Sequence, residues 1–308
     1  MKTLSTIIND ILTKRRKRKE YVANRNNHGL RRFVSNLPCN SLSRQNGLVV
    51  PKGQIAIARD FALVLNDDGR QTLLGHNDGF RQFPHYDRIV KIAATYSGYM
   101  GLSESGRIVI GSLEDSNFGV VSQWNDVVDL VGCEDHILAV LRNGTVVCAD
   151  GHGDWTCSPM HETVVKNWRN IKQVAAGFDN VMGLTKDGRV LYHRDGFTDT
   201  HFYDKYSDVV QIDCYSHYYG TDSSMVLHKD GTVSSDTFDS VESWEDIIQI
   251  SVGADVAIGL KSDGTIEMVD DRGTRYDAKK WKNLAYVECK YFGVVGITKK
   301  GKILSLFA

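Results

Sequence analysis

Short apolar runs alternate with polar ones through most of the chain, and from about residue 49 they recur at a regular spacing. Seven glycines mark the repeat: Gly69, Gly106, Gly144, Gly188, Gly231, Gly264 and Gly301. They lie 33 to 44 residues apart and follow an apolar position by four residues, and six of them follow a second apolar position by fourteen. In the fifth unit this second position is Ile212, nineteen residues before Gly231, which indicates a five-residue insertion.

The residues around these glycines predict hairpin turns. Four of the seven glycines follow Asp and one follows Asn143, and Asp-Gly or Asn-Gly between apolar runs is typical of a tight β-hairpin turn. Each unit is therefore predicted to contain a strand, a loop, a second strand, a tight turn and a third strand. In the fourth unit we expect these strands at residues 171–176, 181–186 and 189–193.

Seven such units favour one architecture. A single three-stranded unit cannot bury both of its faces, whereas copies with a period of about 39 residues can pack face to face around an axis. We predict an all-β fold, a seven-bladed β-propeller over residues 46–308, preceded by a short basic N-terminal helical arm over residues 1–45. Kelch and WD-repeat propellers are the near alternatives. WD repeats are disfavoured because the chain has no Trp-Asp dipeptide, and a parallel β-solenoid is disfavoured because its period is shorter.

An aromatic residue stands six residues before the second apolar position in six of the units: Tyr86, Trp124, Trp168, Tyr206, Trp244 and Trp281. The pattern W-x-x-[IV]-x-x-[IV]-x-x-G, followed by apolar-Gly-Leu-x-x-[DS]-G-x-[VI], is clearest at residues 168–190 and 244–266. It resembles the regulator-of-chromosome-condensation repeat, in its compact, bacterial-like form, over about 260 residues. The resemblance implies a propeller whose last blade is completed by an N-terminal segment, which we expect near residues 47–50.

Residues 1–44 differ in charge from the rest of the chain: they carry about +9, and the remainder carries about −10. Apolar residues at helical spacing between Leu4 and Leu12 predict a short amphipathic helix that packs on the propeller, on a partner or on a membrane surface. The basic residues are candidates for nucleic-acid contact or anchoring, since clustered Lys and Arg release counterions from phosphates. They are Lys14, Arg15, Arg16, Lys17, Arg18, Lys19, Arg31 and Arg32. A solvated surface, a nuclear-localisation signal or docking on the acidic body are the alternatives.

The loops after the first strands are predicted to open on one face, which we call the loop face, opposite the glycine turns. We expect the loop face to bind a protein partner, because rigid aromatic side chains ringed by carboxylates are typical of binding hot spots. The candidate residues are Phe61, Tyr96, Asp135, His136, Phe178, Asp179, Tyr215, His217, Tyr218, Tyr219, Tyr291 and Phe292. Alternatively, several of these aromatic residues fill the gaps between blades. The acidity of this face favours a basic partner surface.

The chain shows no catalytic signature, and we expect it to be neither an enzyme nor cofactor-dependent. Four residues have the chemistry of zinc ligands without a C-x-x-C pair to support them: Cys148, His152, Cys157 and His161. We therefore expect no metal. The six cysteines are scattered, and the N-terminus has no secretory pattern, so we expect free thiols in the cytoplasm, or in the nucleus of a eukaryote. No apolar run is long enough for a transmembrane helix.

Three functional hypotheses follow. The first is an interaction module or accessory subunit that binds a protein partner through the loop face, while the arm anchors it in a larger assembly. The second is nucleic-acid binding through residues 1–44. The third is implied by the resemblance: guanine-nucleotide exchange on a small GTPase, which the short repeats without a long insertion disfavour.

Overall fold

The computed structural model describes residues 31–36, 54–58, 60–66, 69–75, 80–83, 88–96, 98–112, 116–134, 136–150, 160–194, 201–216, 222–254, 256–270, 272–275, 278, 280–291 and 293–307. The strands are β1 (Arg31–Asn36), β2 (Ile55–Ile57), β3 (Phe61–Leu65), β4 (Gln71–Gly75), β5 (Ile89–Ala94), β6 (Tyr99–Ser103), β7 (Ile108–Ser112), β8 (Val127–Cys133), β9 (His136–Leu141), β10 (Val146–Asp150), β11 (Ile171–Ala176), β12 (Asn180–Thr185), β13 (Val190–Arg194), β14 (Val209–Tyr215), β15 (Ser223–His228), β16 (Val233–Ser235), β17 (Ile247–Val252), β18 (Val256–Lys261), β19 (Ile266–Asp270), β20 (Leu284–Lys290), β21 (Gly293–Thr298) and β22 (Lys302–Phe307). The helix α1 spans Met160–Val165, and 3-10 helices span Ser116–Gln123 and Asp239–Ser243.

The strands form seven antiparallel sheets, each containing three strands that are consecutive in the chain. We number them as blades 1 to 7: β2–β4, β5–β7, β8–β10, β11–β13, β14–β16, β17–β19 and β20–β22. The predicted all-β fold with seven three-stranded units is confirmed. In blade 4 the strands begin and end within one residue of the predicted positions.

The first strand of each blade lies next to a common axis. Neighbouring first strands contact one another from β2 through β5, β8, β11, β14 and β17 to β20, and β20 in turn contacts β2. The sheets therefore close into a seven-bladed propeller, and the apolar side chains of facing sheets form its core.

Blade 7 has a fourth strand, which comes from the N-terminal part of the chain. β1 pairs antiparallel with β22, from Arg31 opposite Phe307 to Asn36 opposite Lys302. Our expectation of a closing strand at residues 47–50 is wrong, since that role belongs to β1, within the segment that we assigned to the arm. Residues 47–50 themselves lie outside the described residues. The repeat pattern does not reveal β1, because this single strand lacks the turn and the partner strand that mark a full unit.

The recurrent turn glycines are required for two physical reasons. All seven have a φ between 76° and 87°, a region that residues with a Cβ atom rarely adopt. The next blade also approaches five of the seven closely, because the N–H that begins its first strand donates to the glycine carbonyl. Gly144 accepts a 3.0 Å hydrogen bond on its carbonyl from the N–H of Ile171, and a Cβ on Gly188 would lie 2.6 Å from the Ser207 carbonyl oxygen. Each of these five turns therefore fixes where the next blade begins, which helps to explain the regular period.

A second glycine explains why the repeat contains an aromatic residue. In the second strand of three blades, the indole ring of that blade lies directly over a glycine. The pairs are Trp168 over Gly183, Trp244 over Gly259 and Trp281 over Gly296, and a Cβ on these glycines would lie 2.7–2.8 Å from the ring. The W…G-L pattern thus records close packing rather than a ligand site.

Candidate binding face and axial channel

The seven first strands surround a small cavity on the propeller axis. Its volume is about 60 Å³, and all seven blades contribute to its lining. Sites for small molecules usually have ≈ 300–1,000 Å³, so this cavity has room for water but not for a metabolite. Its wall changes character around the ring. The position after the inner apolar residue is Ala56, Ala93, Val131 and Ala175 in blades 1 to 4, and Asp213, Ser251 and Glu288 in blades 5 to 7.

The polar part of this wall is held together by one serine. Ser251 Oγ lies 3.3 Å from Asp213 Oδ2 and 3.1 Å from Glu288 Oε1. Asp213 Oδ2 also accepts a 2.8 Å hydrogen bond from the N–H of Val252, and Glu288 Oε2 accepts one of 2.9 Å from the Tyr286 hydroxyl. Both carboxyl groups are buried, and these hydrogen bonds offset the cost of removing them from water. They therefore join blades 5, 6 and 7.

A second set of polar side chains joins neighbouring blades, and we did not predict it from the sequence. The residue directly before the inner apolar position reaches the first strand of the next blade. Gln249 donates to the Val287 carbonyl at 2.8 Å and accepts from the Val287 N–H at 3.0 Å. Equivalent contacts join Asp129 to Val174, Gln173 to Ile212 and Gln211 to Ile250. A signal was present, since this position is polar in six of the seven units. We call these side chains the blade latches.

Side chains from three blades close the channel beneath the loop face. The Tyr215 hydroxyl donates to Glu134 Oε1 at 3.3 Å, and its ring packs edge-on against Tyr291 with the centroids 5.5 Å apart. The Lys290 ammonium donates to the Gly132 carbonyl on the far side of the axis. Burial raises the pKa of Tyr215 well above its ordinary value, so its hydroxyl remains a donor at neutral pH. We call this group the axial plug.

The structure places the predicted partner-binding residues in three groups. Phe61, His136, Phe178, Tyr215 and Tyr291 are between 0% and 7% exposed. Their burial supports the alternative in which aromatic side chains fill the gaps between blades. Tyr96 and Asp179 are partly exposed. Asp135, His217, Tyr218, Tyr219 and Phe292 lie outside the described residues, so their role in partner binding stays a prediction.

The loop that carries the five-residue insertion leaves blade 5 from a firmly held base. Ser216 directly follows the axial-plug residue Tyr215 and is itself buried. Its carbonyl accepts a 3.1 Å hydrogen bond from the N–H of Phe178, and its Oγ accepts one of 2.6 Å from the N–H of Asp179. The first residues of this loop are therefore fixed by blades 3, 4 and 7 together.

The remaining predicted sites are only partly within reach of the structure. Lys14 to Lys19 lie outside the described residues, and Arg31 and Arg32 begin β1. His152 and Cys157 also lie outside, so the question of zinc is untested. Among the residues that the structure describes, no helix combines the length and apolar character needed to cross a bilayer.

No known family's sequence profile matches the chain, and no curated protein matches it in sequence. Solved structures do match. Prp20p from Saccharomyces cerevisiae is similar over 82% of this chain and 81% of its own, with 16% identity and a TM-score of 0.55. The structure of Kap60 bound to yeast RCC1 (Prp20) gives 82% and 79% coverage, 16% identity and a TM-score of 0.56. Human WBSCR16 gives 88% and 94% coverage, 13% identity and a TM-score of 0.56.

At these identities the likeness concerns the fold. It agrees with the repeat pattern read from the sequence, with the seven sheets that each contain three consecutive strands and with the closed ring of first strands. The chain has the fold of a seven-bladed propeller of the regulator-of-chromosome-condensation (RCC1) type.

Proposed function

We propose that this chain is a protein-interaction module that binds a protein partner through the loop face. The observation that supports this proposal most directly is the fixed base of the loop between β14 and β15. The sequence after Ser216 contains His217, Tyr218 and Tyr219, and tyrosine is enriched in binding hot spots. A loop held rigidly at its base loses less conformational entropy when it binds, which favours affinity.

The size of the axial cavity supports the same proposal. At about 60 Å³ it is too small for an organic substrate, so binding has to use an outer surface. Protein partners also have a precedent in this fold. Prp20p has described binding properties towards Gsp1p and histones, and it has been solved in complex with Kap60.

The charge distribution indicates the chemistry of the partner. The propeller body carries an acidic excess, and partly exposed Asp179 and exposed Asp60 lie on the loop face. A basic partner surface would be attracted to this face and would associate faster at low ionic strength. The basic arm would add a second contact within a larger assembly, to a partner or to nucleic acid.

The proposal is tested with the full chain. Three proteins are compared: wild type, the double variant Tyr218→Ala/Tyr219→Ala and the control Val128→Ser. Each is immobilised on a support and incubated with extract of the native host, with and without nuclease. Bound proteins are then quantified by mass spectrometry. Val128 is 43% exposed at the glycine-turn end of β8, so its replacement leaves the loop face untouched. We expect the double variant to lose a specific partner by roughly five-fold or more, which corresponds to about 1 kcal/mol at a hot spot, and the control to retain it.

Two outcomes would contradict the proposal. Equal partner recovery by all three proteins would remove the role of the insertion loop. A partner that disappears on nuclease treatment would instead support nucleic-acid binding through residues 1–44.

A further inference from the structure

Blade 5 brings together three side chains in a combination that no other unit of the sequence has. Asp208 lies directly before β14, His228 ends β15, and Ser234 lies in the middle of β16. His228 Nδ1 is 2.9 Å from Asp208 Oδ1, and His228 Nε2 is 2.9 Å from Ser234 Oγ. We call these residues the blade-5 trio.

The chemistry of the partners fixes the roles of the two ring nitrogens. An ionised carboxylate can only accept a hydrogen bond, so in neutral His228 the proton sits on Nδ1 and faces Asp208. Nε2 then carries a lone pair, and the hydroxyl of Ser234 donates to it. His228 is thus a base that the Asp208 carboxylate orients and that accepts a hydrogen bond from the Ser234 hydroxyl. This is the arrangement that activates a serine nucleophile.

The backbone holds the trio in place. The N–H of Lys229 donates to the Asp208 carbonyl at 3.0 Å, and the N–H of His228 donates to the Thr232 carbonyl at 2.9 Å. The ring of Tyr206 packs edge-on against the imidazole, with the centroids 4.6 Å apart. His228 is 6% exposed and Ser234 is 9% exposed, so neither side chain has much room to turn away.

The repeat itself needs neither the histidine nor the serine. At the position three residues before the turn glycine, Thr185 in blade 4 uses its hydroxyl to bond the Arg189 carbonyl within the turn. Blade 5 has His228 at this position. The sequence shows that it is the one unit of the seven with His three residues before the turn glycine and Ser three residues after it.

The trio opens onto a depression on the surface of the protein. The depression has a volume of about 310 Å³ and is lined by Tyr206, Asp208, His228, Thr232, Val233, Ser234 and Glu242. This volume lies at the lower end of the range for ligand sites, ≈ 300–1,000 Å³. The tyrosine ring and Val233 provide apolar contact, while Asp208 and Glu242 place negative charge at its edge. A small acyl group fits, and a neutral or cationic substrate is favoured over an anionic one.

The geometry points to a second function for this propeller, hydrolysis of small neutral or cationic carboxylic esters with Ser234 as the nucleophile. Ser234 Oγ attacks the ester carbonyl carbon while its proton passes to His228 Nε2. The tetrahedral intermediate then expels the alcohol, which takes that proton and leaves an acyl-serine. A water molecule adds to the acyl carbon and gives a proton to Nε2, and Ser234 Oγ departs with this proton to release the carboxylic acid. Asp208 is a positioning residue that holds the imidazole in the reactive tautomer.

The first test measures the nucleophile itself, by covalent labelling of the full chain with a fluorophosphonate probe. General-base activation contributes roughly 10²–10⁴-fold, so an activated serine should react with the probe much faster than an ordinary serine hydroxyl. We expect Ser234 Oγ to attack the phosphorus of the probe and to displace fluoride. Mass spectrometry of the labelled peptide should then place the phosphonate on Ser234. Ser234→Ala should abolish this labelling. Ser122→Ala removes an exposed serine whose hydroxyl donates to the nearby Gly119 carbonyl, and should label like wild type.

The positioning role of Asp208 is tested by Asp208→Asn. The carboxylate of Asp208 is 52% exposed, so its replacement by an amide should leave the fold intact, which thermal melting will verify. The amide can donate to Nδ1 and so favours the unreactive tautomer, and we expect labelling to slow at least about 100-fold. Hydrolysis of p-nitrophenyl acetate should depend on Ser234 and exceed that of the anionic p-nitrophenyl hemisuccinate.

The same experiments can overturn the proposal. In one contrary outcome, folded wild type carries no label on Ser234 and Ser234→Ala melts at a lower temperature than wild type. That result would show that the blade-5 trio only stabilises blade 5 through its hydrogen bonds. Labelling of another residue to the same extent in Ser234→Ala, or equal labelling rates in wild type and Asp208→Asn, would also refute it.

Discussion

The blade latch at Gln249 offers a direct test of how the ring is held closed. Its side chain is fully buried and makes two hydrogen bonds with the backbone of Val287, at 2.8 and 3.0 Å. Gln249→Leu keeps a similar volume but removes both bonds, which leaves a buried N–H and a buried carbonyl of the next blade without their partner.

Each buried polar group that is left without a hydrogen-bond partner costs about 1–3 kcal/mol. Gln249→Leu leaves two such groups, so it should lower the free energy of unfolding by about 2–6 kcal/mol. Gln173 is the matched comparison in blade 4. It makes the same pair of bonds at 3.1 and 3.2 Å, but it is partly exposed and lines the axial cavity. Water can replace its amide, so Gln173→Leu should cost less than half as much.

Urea and thermal denaturation followed by tryptophan fluorescence provide the measurement. Trp244 and Trp281 are buried in blades 6 and 7, on the two sides of the Gln249 latch, and they report on the affected interface. A chain of this size loses roughly 2 °C in melting temperature per kcal/mol, so the larger effect should exceed about 4 °C. Two results would refute the reasoning. One is a free energy of unfolding for Gln249→Leu within about 0.5 kcal/mol of wild type, which is the usual scatter of surface substitutions. The other is an equal loss of stability in Gln173→Leu.

Three further perturbations follow from the structure. Gly183→Ala should destabilise the protein by about 1–3 kcal/mol, because the added methyl group overpacks against the indole ring of Trp168. Gly119 has open space around it, so Gly119→Ala should leave the midpoint of urea unfolding unchanged. Equal midpoints for the two variants would contradict the packing argument. A hydrogen bond from the Thr265 side chain is the main cause that lowers the pKa of Asp263. The ionised Asp263 therefore stabilises the folded protein above about pH 4, and this contribution is lost as the pH falls through the lowered pKa. Asp263→Asn should therefore make the urea midpoint less sensitive to acid, and an unchanged pH profile would count against this. Deletion of residues 1–36, which removes β1, should lower the melting temperature and promote self-association in gel filtration, whereas deletion of residues 1–27 should do neither.

The sequence predicts the fold because the same packing requirement recurs in each unit. A glycine with positive φ and a tryptophan stacked over a second glycine, as with Trp168 over Gly183, restrict the residue types strongly. Seven copies in register make the pattern visible without any structure. β1 could not be found in the same way, because its partner strand lies almost the whole chain away, and local spacing carries no information about such a pairing.

The candidate sites were harder to predict, for a different reason. An aromatic residue at the end of a strand has the same sequence signature whether it faces a partner or a neighbouring blade. Tyr215 belongs to the axial plug, although its loop position suggested contact with a partner. Conversely, the polar residues Gln249 and His228 look like exposed strand positions, and only the position of the next strand shows that their side chains are buried between neighbours.

The pairing of β1 with β22 also determines when the ring can be completed during synthesis. β1 leaves the ribosome before any blade, yet its partner is translated after all the others. In the meantime, β1 and the edge of an unfinished ring are open to wrong pairing and to aggregation. Because Arg31 lies opposite Phe307, β22 and β1 form a hairpin that lacks only its connecting loop. A circular permutant that joins these two ends would turn the slow, long-range closing step into a local one.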